Sequence, residues 1–246
     1  MENILITGVT GGIGRACAEK LLKGGNSVIG LGRDTDRLES EWSAAYPGKF
    51  HAVNCDLMET WQIKETLEEI VSSYGAVGGF IHCAGFDKMA PIHMTKIEDF
   101  ERLWRIHALV PMHMISILCR KKFHSEGMSI VLITSQSAHE GAMGHTAYAS
   151  AKGALEGYLS PAAAELMEKG IRINEVCLGP IQTRMAKGWM EKLKPDGQKK
   201  LIDSYPLGLG EVRDAANLIC FLLSEESRYI NGQMITADGG HAVRKV

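Results

Sequence analysis

Tyr148 and Lys152 stand four residues apart in the stretch TAYASAK. Residues at that spacing share one face of a helix. A free phenol has a pKa of about 10 and is a poor proton donor or acceptor at neutral pH. A neighbouring ammonium stabilises the phenolate. One unit charge at about 4 Å, with an effective dielectric near 20, supplies roughly 4 kcal/mol, enough to lower a phenol pKa by about three units. The pair could therefore give a proton to a carbonyl oxygen or take one from an alcohol. The plainer alternative is a packed tyrosine beside a lysine that reaches out to water.

A second chemical signal lies in TGVTGGIG, Thr7 to Gly14. It follows a predicted strand and opens a predicted helix. Gly8, Gly12 and Gly14 let backbone come close to a bound phosphate, and the helix N-terminus favours negative charge. Tight strand-to-helix turns also use glycine, so position carries the argument: this is the first strand–helix junction of the chain.

The elements that must hold these residues alternate along the chain. Strands are predicted at 3–7, 27–32, 50–56, 79–85, 129–135, 172–179 and 233–238. Helices are predicted at 14–25, 61–75, 97–122, 147–170 and 211–224. Strands separated by helices imply crossovers and a parallel sheet covered on both faces. The fold class is α/β: a Rossmann-type doubly wound parallel sheet of about seven strands. Without a repeat or a polar linker, residues 1–246 read as a single domain. The segment 180–206 is long, mixed in polarity and bounded by prolines, which suits a substrate lid.

These motifs, in this order, resemble the short-chain dehydrogenase/reductase family. The glycine turn has the spacing T-G-x-x-x-G-x-G. HCAG (82–85) stands where that family usually has N-N-A-G. ITSQSA (133–138) is similar to the strand that carries its serine, here Ser135, thirteen residues before Tyr148. YASAK is similar to its Y-x-x-x-K, LGPIQT (178–183) to its segment after the sixth strand, and YINGQMITADGG (229–240) to its final strand. The resemblance implies a catalytic set of Ser135, Tyr148 and Lys152. Ser135 would bond the substrate oxygen, and Lys152 would also hold the nicotinamide ribose. An oxidised nicotinamide would add positive charge near the phenol. The implied cofactor contacts are Thr7, Gly8, Thr10, Gly12, Ile13, Gly14, Arg33, Asp56, Leu57, Ala84, Gly85, Ile181 and Thr183, together with Tyr148 and Lys152. Asp56 would touch adenine, or else cap the turn before LMETW. Thr183 would bond the nicotinamide carboxamide.

One position departs from the pattern. The family usually places an asparagine in the helix after the fourth strand, where it holds a relay water. Here that position is His107. A histidine can bond a water or a carbonyl and preserve the relay, or it can be a satisfied core residue. His82 and Cys83 likewise replace two asparagines.

Charge argues the cofactor. A carboxylate at the end of the second strand would bond the adenosine ribose and repel a 2′-phosphate. Gly32 occupies that position, and Arg33 follows it. A missing carboxylate beside a guanidinium favours NADP(H) over NAD(H). Asp34 is the residue that could restore NAD binding, and Arg15 could add positive charge.

Composition limits the remaining classes. The net charge is −2, so nothing draws the chain electrostatically to nucleic acid or to anionic membrane. No apolar run is as long as a membrane span. The six cysteines are scattered and the nine histidines lack ligand spacing, which points to reduced thiols and no metal. The chain runs from MENILITG into a strand, which suggests a cytoplasmic protein without a signal peptide.

The leading expectation is an NADP(H)-dependent oxidoreductase interconverting a ketone and a secondary alcohol, with Tyr148 as general acid/base. Its nearest likeness is to 3-oxoacyl-[acyl-carrier-protein] reductases, so the small-molecule substrate could be thioester-linked. Leu209 and Lys169 differ from residues common there. A nucleotide-sensing protein on the same fold is the alternative. The family also implies a homodimer or homotetramer packed through 97–122 and 147–170.

Overall fold

The computed structural model describes residues 3–243. Seven strands form one parallel sheet in the order β3-β2-β1-β4-β5-β6-β7. They are β1 (Asn3–Thr7), β2 (Ser27–Gly32), β3 (Phe50–Asn54), β4 (Val77–His82), β5 (His124–Ser135), β6 (Arg172–Leu178) and β7 (Met234–Ala237). The central strands are rich in Ile, Val and Leu and buried on both sides, as strands covered by helices must be, while the edge strands β3 and β7 are partly exposed. β4 is buried at every position.

The helices are α1 (Gly12–Lys23), α2 (Asp36–Trp42), α3 (Ile63–Tyr74), α4 (Ile97–Trp104), α5 (Val110–Leu118), α6 (Thr146–Met167), α7 (Arg184–Met190), α8 (Pro195–Ser204) and α9 (Val212–Leu223). They divide between the two faces of the sheet. One apolar cluster joins α1 and α9 to the sheet through residues such as Leu21, Leu22, Ile219 and Leu222. The other joins α3, α5 and α6 through Leu67, Ile70, Met114, Leu155 and Leu159. The doubly wound architecture expected from the alternating pattern is the one observed.

Chain order reverses at β1, whose neighbours are β2 on one side and β4 on the other. That is the point where an open α/β sheet leaves a crevice beyond its strand ends. Gly8 follows β1, and residues 83–85 follow β4. The two connections touch: a Cβ on Gly8 would lie 2.7 Å from the Ala84 backbone, and Gly8 itself has φ +66. Only glycine meets both conditions.

The single helix expected over 97–122 is interrupted. A π-helical turn spans Arg105–Leu109 between α4 and α5, and Pro111 sits at the start of α5. Proline lacks the N–H that a continuous ladder needs there, which periodicity alone did not register. The helical run ends at Leu118. Beyond it, Lys122 pairs with Glu68 at 2.9 Å, the ordinary surface role for a short basic cluster. The segment 180–206 is not irregular: it holds α7 and α8. α2 was absent from the predicted elements; its seven residues give only two turns of pattern. No helix among the described residues is long and apolar enough to cross a membrane. All six cysteines are free thiols.

Candidate active site

β5 ends at Ser135, and α6 begins eleven residues later. α6 lays Ala147, Ala151, Leu155 and Leu159 against the rest of the molecule. Alanines at its start allow close approach: Leu103 of α4 packs with Ala147 and Ala151, with Phe86, Phe100 and Tyr148 around them. Trp104 Nε1 donates to Ser150 Oγ at 3.0 Å and ties α4 to α6. Tyr148 and Lys152 are thereby placed beside Ser135, at the carboxyl ends of β4, β5 and β6.

Ser135 is oriented by its neighbour. Both the backbone N–H and the hydroxyl of Ser137 donate to Ser135 Oγ, at 3.3 and 3.0 Å. The proton of Ser135 is left to be aimed elsewhere, and its hydrogen bond to Tyr148 favours the phenolate. That effect is outweighed. Burial, aided by the charge of Asp87, raises the Tyr148 phenol well above its usual range. The depressed phenol pKa argued above from Lys152 is therefore not a property of the unliganded site. The reason is geometric: Lys152 Nζ donates to the Ile133 carbonyl at 2.7 Å and lies 5.8 Å from the Tyr148 ring centroid. Burial lowers Lys152 to a pKa of about 8. It remains largely charged at neutral pH, a buried cation with one hydrogen bond among the described residues.

His107 sits in the π-helical turn, 2 % exposed. Its Nε2–H donates to the Phe86 carbonyl at 2.7 Å. Its ring meets the Tyr148 ring edge-on, with centroids 5.0 Å apart. Its Nδ1 is buried without a partner. Burial and the Lys152 charge hold its pKa well below the usual histidine value. His107 is thus a neutral imidazole with one free acceptor, combining both readings left open by the sequence: packed like a core residue, with a nitrogen still able to accept a bond. Gly85 leaves room for the ring. A Cβ there would lie 2.2 Å from His107 Cε1.

His82 has a complete set of partners. Its Nε2 is 2.9 Å from the Ile106 carbonyl, and its Nδ1 is 2.9 Å from Thr7 Oγ1. The carbonyl can only accept, so Nε2 carries the proton and Nδ1 accepts from Thr7. Thr7 Oγ1 in turn accepts from the Ala84 N–H at 3.2 Å. The chain Ala84–Thr7–His82–Ile106 locks the ends of β1 and β4 to the π-helical turn. Burial lowers the His82 pKa to about 3. Thr7 is fully buried and its hydroxyl is occupied here, so the structure places it beneath the crevice rather than at its surface.

The glycine turn forms a cradle over α1. Gly11 is the N-cap with no side-chain partner, leaving first-turn N–H groups open. A Cβ on Gly14 would lie 2.5 Å from the Gly8 carbonyl oxygen, and one on Gly12 would lie 3.1 Å from Thr183 Cγ2. The cradle thus fits a phosphate-bearing group above Gly12, with Thr183 on its far side. Thr10 is exposed and Ile13 half-buried at its rim. Gly32 supplies no carboxylate at the end of β2; a Cβ there would press on Thr35 Cγ2 at 3.0 Å and meet Thr10 Cγ2 at 3.7 Å. Arg33 and Asp34 beside it are exposed, and Arg33 makes no ion pair among the described residues. Arg15 is paired with Glu41 and stacks over Trp42, its guanidinium 5.5 Å from the ring centroid.

Other residues named above hold structural contacts. Asp56 Oδ1 accepts from the Met58 N–H at 3.0 Å, capping its own turn, and Leu57 is buried in the core. Thr183 Oγ1 accepts from the Ala186 N–H at 3.2 Å and caps α7. Ile181 is buried and bridges to Gly210.

A pair beside Tyr148 escaped the sequence reading. His145 Nε2 lies 3.0 Å from Asp87 Oδ2, and both side chains are largely buried. The His145 ring is 6.2 Å from the Tyr148 ring and 6.0 Å from that of Trp189 on α7. Asp87 raises the His145 pKa through their hydrogen bond. They lie 58 residues apart, so no local pattern could have paired them.

A dinucleotide crevice at the switch of a doubly wound sheet, with serine, tyrosine and lysine converging beside it, defines a class of nucleotide-dependent oxidoreductase. Residues 8–242 match the family described as enoyl-(acyl-carrier-protein) reductase. The chain is 30 % identical over 239 residues to a 3-oxoacyl-[acyl-carrier-protein] reductase of Thermotoga maritima, covering 96 % of each. It is 32 % identical over 238 residues to the human 3-oxoacyl-[acyl-carrier-protein] reductase, covering 96 % of this chain and 95 % of that one. Among solved structures, ElxO with NADP bound superposes with a TM-score of 0.87 at 25 % identity, over 99 % of this chain and all of that one. The chain belongs to the short-chain dehydrogenase/reductase family, oxidoreductases that interconvert carbonyl and alcohol groups with a nicotinamide cofactor.

Proposed function

We propose that this chain is an NADP(H)-dependent reductase of a ketone, working as a single catalytic domain with Tyr148 as general acid/base. The observation that carries the reading is the convergence of Ser135, Tyr148 and Lys152 next to the glycine cradle, with Ser137 preorienting Ser135. The cofactor, when bound in the cradle of Gly8, Gly12 and Gly14, supplies hydride to the carbonyl carbon. Ser135 donates a hydrogen bond to the substrate oxygen, where negative charge develops; such a donor contributes roughly 10²–10³ in rate. Tyr148 then gives its proton to that oxygen. Burial suits this direction because it keeps the phenol fully protonated until charge appears on the substrate. The Lys152 ammonium, 5.8 Å from the Tyr148 ring, offsets part of the charge of the resulting phenolate.

Gly32 and Arg33, which makes no ion pair among the described residues, support NADP(H) over NAD(H), and the NADP bound by ElxO is consistent with that preference. The match to 3-oxoacyl-[acyl-carrier-protein] reductases supports a thioester-linked 3-oxoacyl substrate. α7 and α8 act as the lid, touching the site through Trp189. The reading also takes a cytoplasmic homodimer or homotetramer. Ile97, Trp104 and Leu109 on the α4 side are exposed apolar residues that such an assembly would cover.

Tyr148→Phe tests the chemistry. It should lower kcat for carbonyl reduction by about 10²–10⁴ while NADPH affinity stays within a few-fold. Turnover at the parent rate would overturn the assignment. The sensor reading is favoured by His107 packing against Tyr148. Tight cofactor binding with no turnover across a broad carbonyl and alcohol panel would establish it instead.

A further inference from the structure

Both ends of the segment 180–206 meet beside the active-site serine. Gly179, just before the segment, donates its N–H to the Ala237 carbonyl at 3.0 Å. A Cβ on Gly179 would lie 3.1 Å from Asp238 Cα and 3.2 Å from Gln136 Oε1. At the other end, Ser204 closes α8 and Tyr205 follows it. Leu207 donates its N–H to the Gly239 carbonyl at 3.3 Å. Both ends thus rest on Gln136, which follows Ser135, and on 237–239, at the end of β7. The chemistry above uses none of these residues.

Gln136 is 4 % exposed, and both ends of its amide are engaged. Its Nε2 donates to Asp238 Oδ2, and its Oε1 accepts from the Tyr205 hydroxyl at 3.4 Å. The carboxylate can only accept, so the amide cannot turn round without losing that bond. Asp238 is itself fixed: Oδ1 accepts from the Gly240 N–H at 2.9 Å, and Oδ2 from the Ala242 N–H at 2.8 Å. Burial pushes its carboxyl up, but these donors together hold it below the usual range, so it stays ionised. Tyr205 is buried and stacks on His241, with ring centroids 4.2 Å apart and planes 19° apart. His241 Nδ1–H donates to the Ser204 carbonyl at 2.8 Å, and its Nε2 lies 3.4 Å from Glu140 Oε1. The Glu140 N–H donates to the Gln136 carbonyl at 3.0 Å. The end of α8 is therefore held to the serine turn by two routes, through Tyr205 and through His241. Gln136 also opens the 3₁₀ turn that carries Ser137, whose N–H and hydroxyl orient Ser135. A buried polar network with its bonds made holds one geometry.

We propose that Gln136 is a positioning residue that ties the aim of Ser135 to the closure of the lid. The proposal rests on the reductase reading and on α7 and α8 as the lid. With α8 seated, Tyr205 and Asp238 hold the Gln136 side chain from both ends. The turn behind it is then fixed, and Ser137 keeps Ser135 pointed at the substrate oxygen. When α8 lifts, the Tyr205 hydroxyl leaves Gln136, the turn loosens and Ser135 loses its aim. Ser135 is thus fully competent only when the lid encloses the substrate. The effect is one of geometry, where a misplacement of about 1 Å costs on the order of 10²-fold in rate.

The test uses the full-length protein with NADPH and the ketone it reduces best in a carbonyl panel that includes acetoacetyl-coenzyme A. Gln136→Met, close in volume but without the amide, should lower kcat about tenfold while NADPH affinity stays within about two-fold. In a Ser135→Ala background the same change should cost less than about two-fold, because the residue it acts through is gone. A purely structural role would lower kcat equally in both backgrounds. Tyr205→Phe cuts only the tie to α8. It should raise KM about fivefold, lower kcat by less, and speed amide hydrogen exchange over α8 while exchange in β4 is unchanged. Equal kcat losses for Gln136→Met in the two backgrounds, or α8 exchange in Tyr205→Phe that matches the parent, overturns the proposal. If Gln136→Met does not fold, Tyr205→Phe decides: an unchanged KM with unchanged α8 exchange overturns it. A parent protein that binds NADPH but reduces no carbonyl defeats the reductase reading, while α8 exchange in Tyr205→Phe still decides whether Tyr205 holds the helix to the serine turn.

Discussion

Gly85→Ala isolates the consequence of placing a histidine at position 107. Gly85 is not among the positive-φ glycines, so alanine meets no backbone penalty there. Its Cβ would lie 2.2 Å from His107 Cε1 and 2.8 Å from Nδ1, against about 3.5–4.0 Å for a relaxed contact. The imidazole has nowhere to go: it is bonded to the Phe86 carbonyl at 2.7 Å, backed by Tyr148, and 2 % exposed. Overpacking of this kind costs about 1–3 kcal/mol, and a displaced ring also loses its hydrogen bond, worth about 1 kcal/mol. A total near 3 kcal/mol corresponds to a Tm loss of roughly 6–12 °C for a domain of this size. The assay is urea unfolding of the parent, Gly85→Ala, His107→Asn and the double variant. The shorter asparagine leaves room for the new methyl. Gly85→Ala should therefore cost under about 1 kcal/mol in the His107→Asn background, a coupling of about 2 kcal/mol. Equal costs in both backgrounds would refute the claim that the His107 ring fills the space beside Gly85.

Arg33→Ala should narrow the kcat/KM preference for NADPH over NADH by about tenfold, and Gly32→Asp should turn it toward NADH; equal efficiency with both cofactors in the parent would remove the charge argument. His82 should make the fold acid-sensitive. Its folded pKa of about 3 lies below the ordinary 6.5, so the unfolded chain binds the extra proton between those values. The contribution is complete above pH 6.5 and is lost as pH falls toward 3, about 2–3 kcal/mol by pH 4.5. Urea midpoints at pH 7 and 4.5 should show a smaller drop in His82→Asn than in the parent, and parallel drops would contradict the linkage.

Much of the architecture was readable because it is written in local periods. Short β-branched runs and intervening amphipathic stretches placed all seven strands, and glycine spacing placed the first turn. The interruption at Arg105–Leu109 was not readable, because a π-turn preserves helical composition while shifting its register. The active-site residues divide the same way. Tyr148 and Lys152 could be paired from their spacing on one helix. Asp87 and His145 meet only when separate elements pack, and nothing near either partner announces the other.

Residue type and order determined the sheet class and the glycine turn, and the resemblance in motif order singled out Ser135, Tyr148 and Lys152 as the set to look for. The first two follow from backbone preference and periodicity. Tertiary structure decided the protonation states. The phenol rises rather than falls because burial outweighs a lysine that is turned toward the Ile133 carbonyl. His82 and His107 become neutral because packing removes them from water. Desolvation is a property of the assembled interior, summed over residues distant in the chain, and no stretch of sequence carries it.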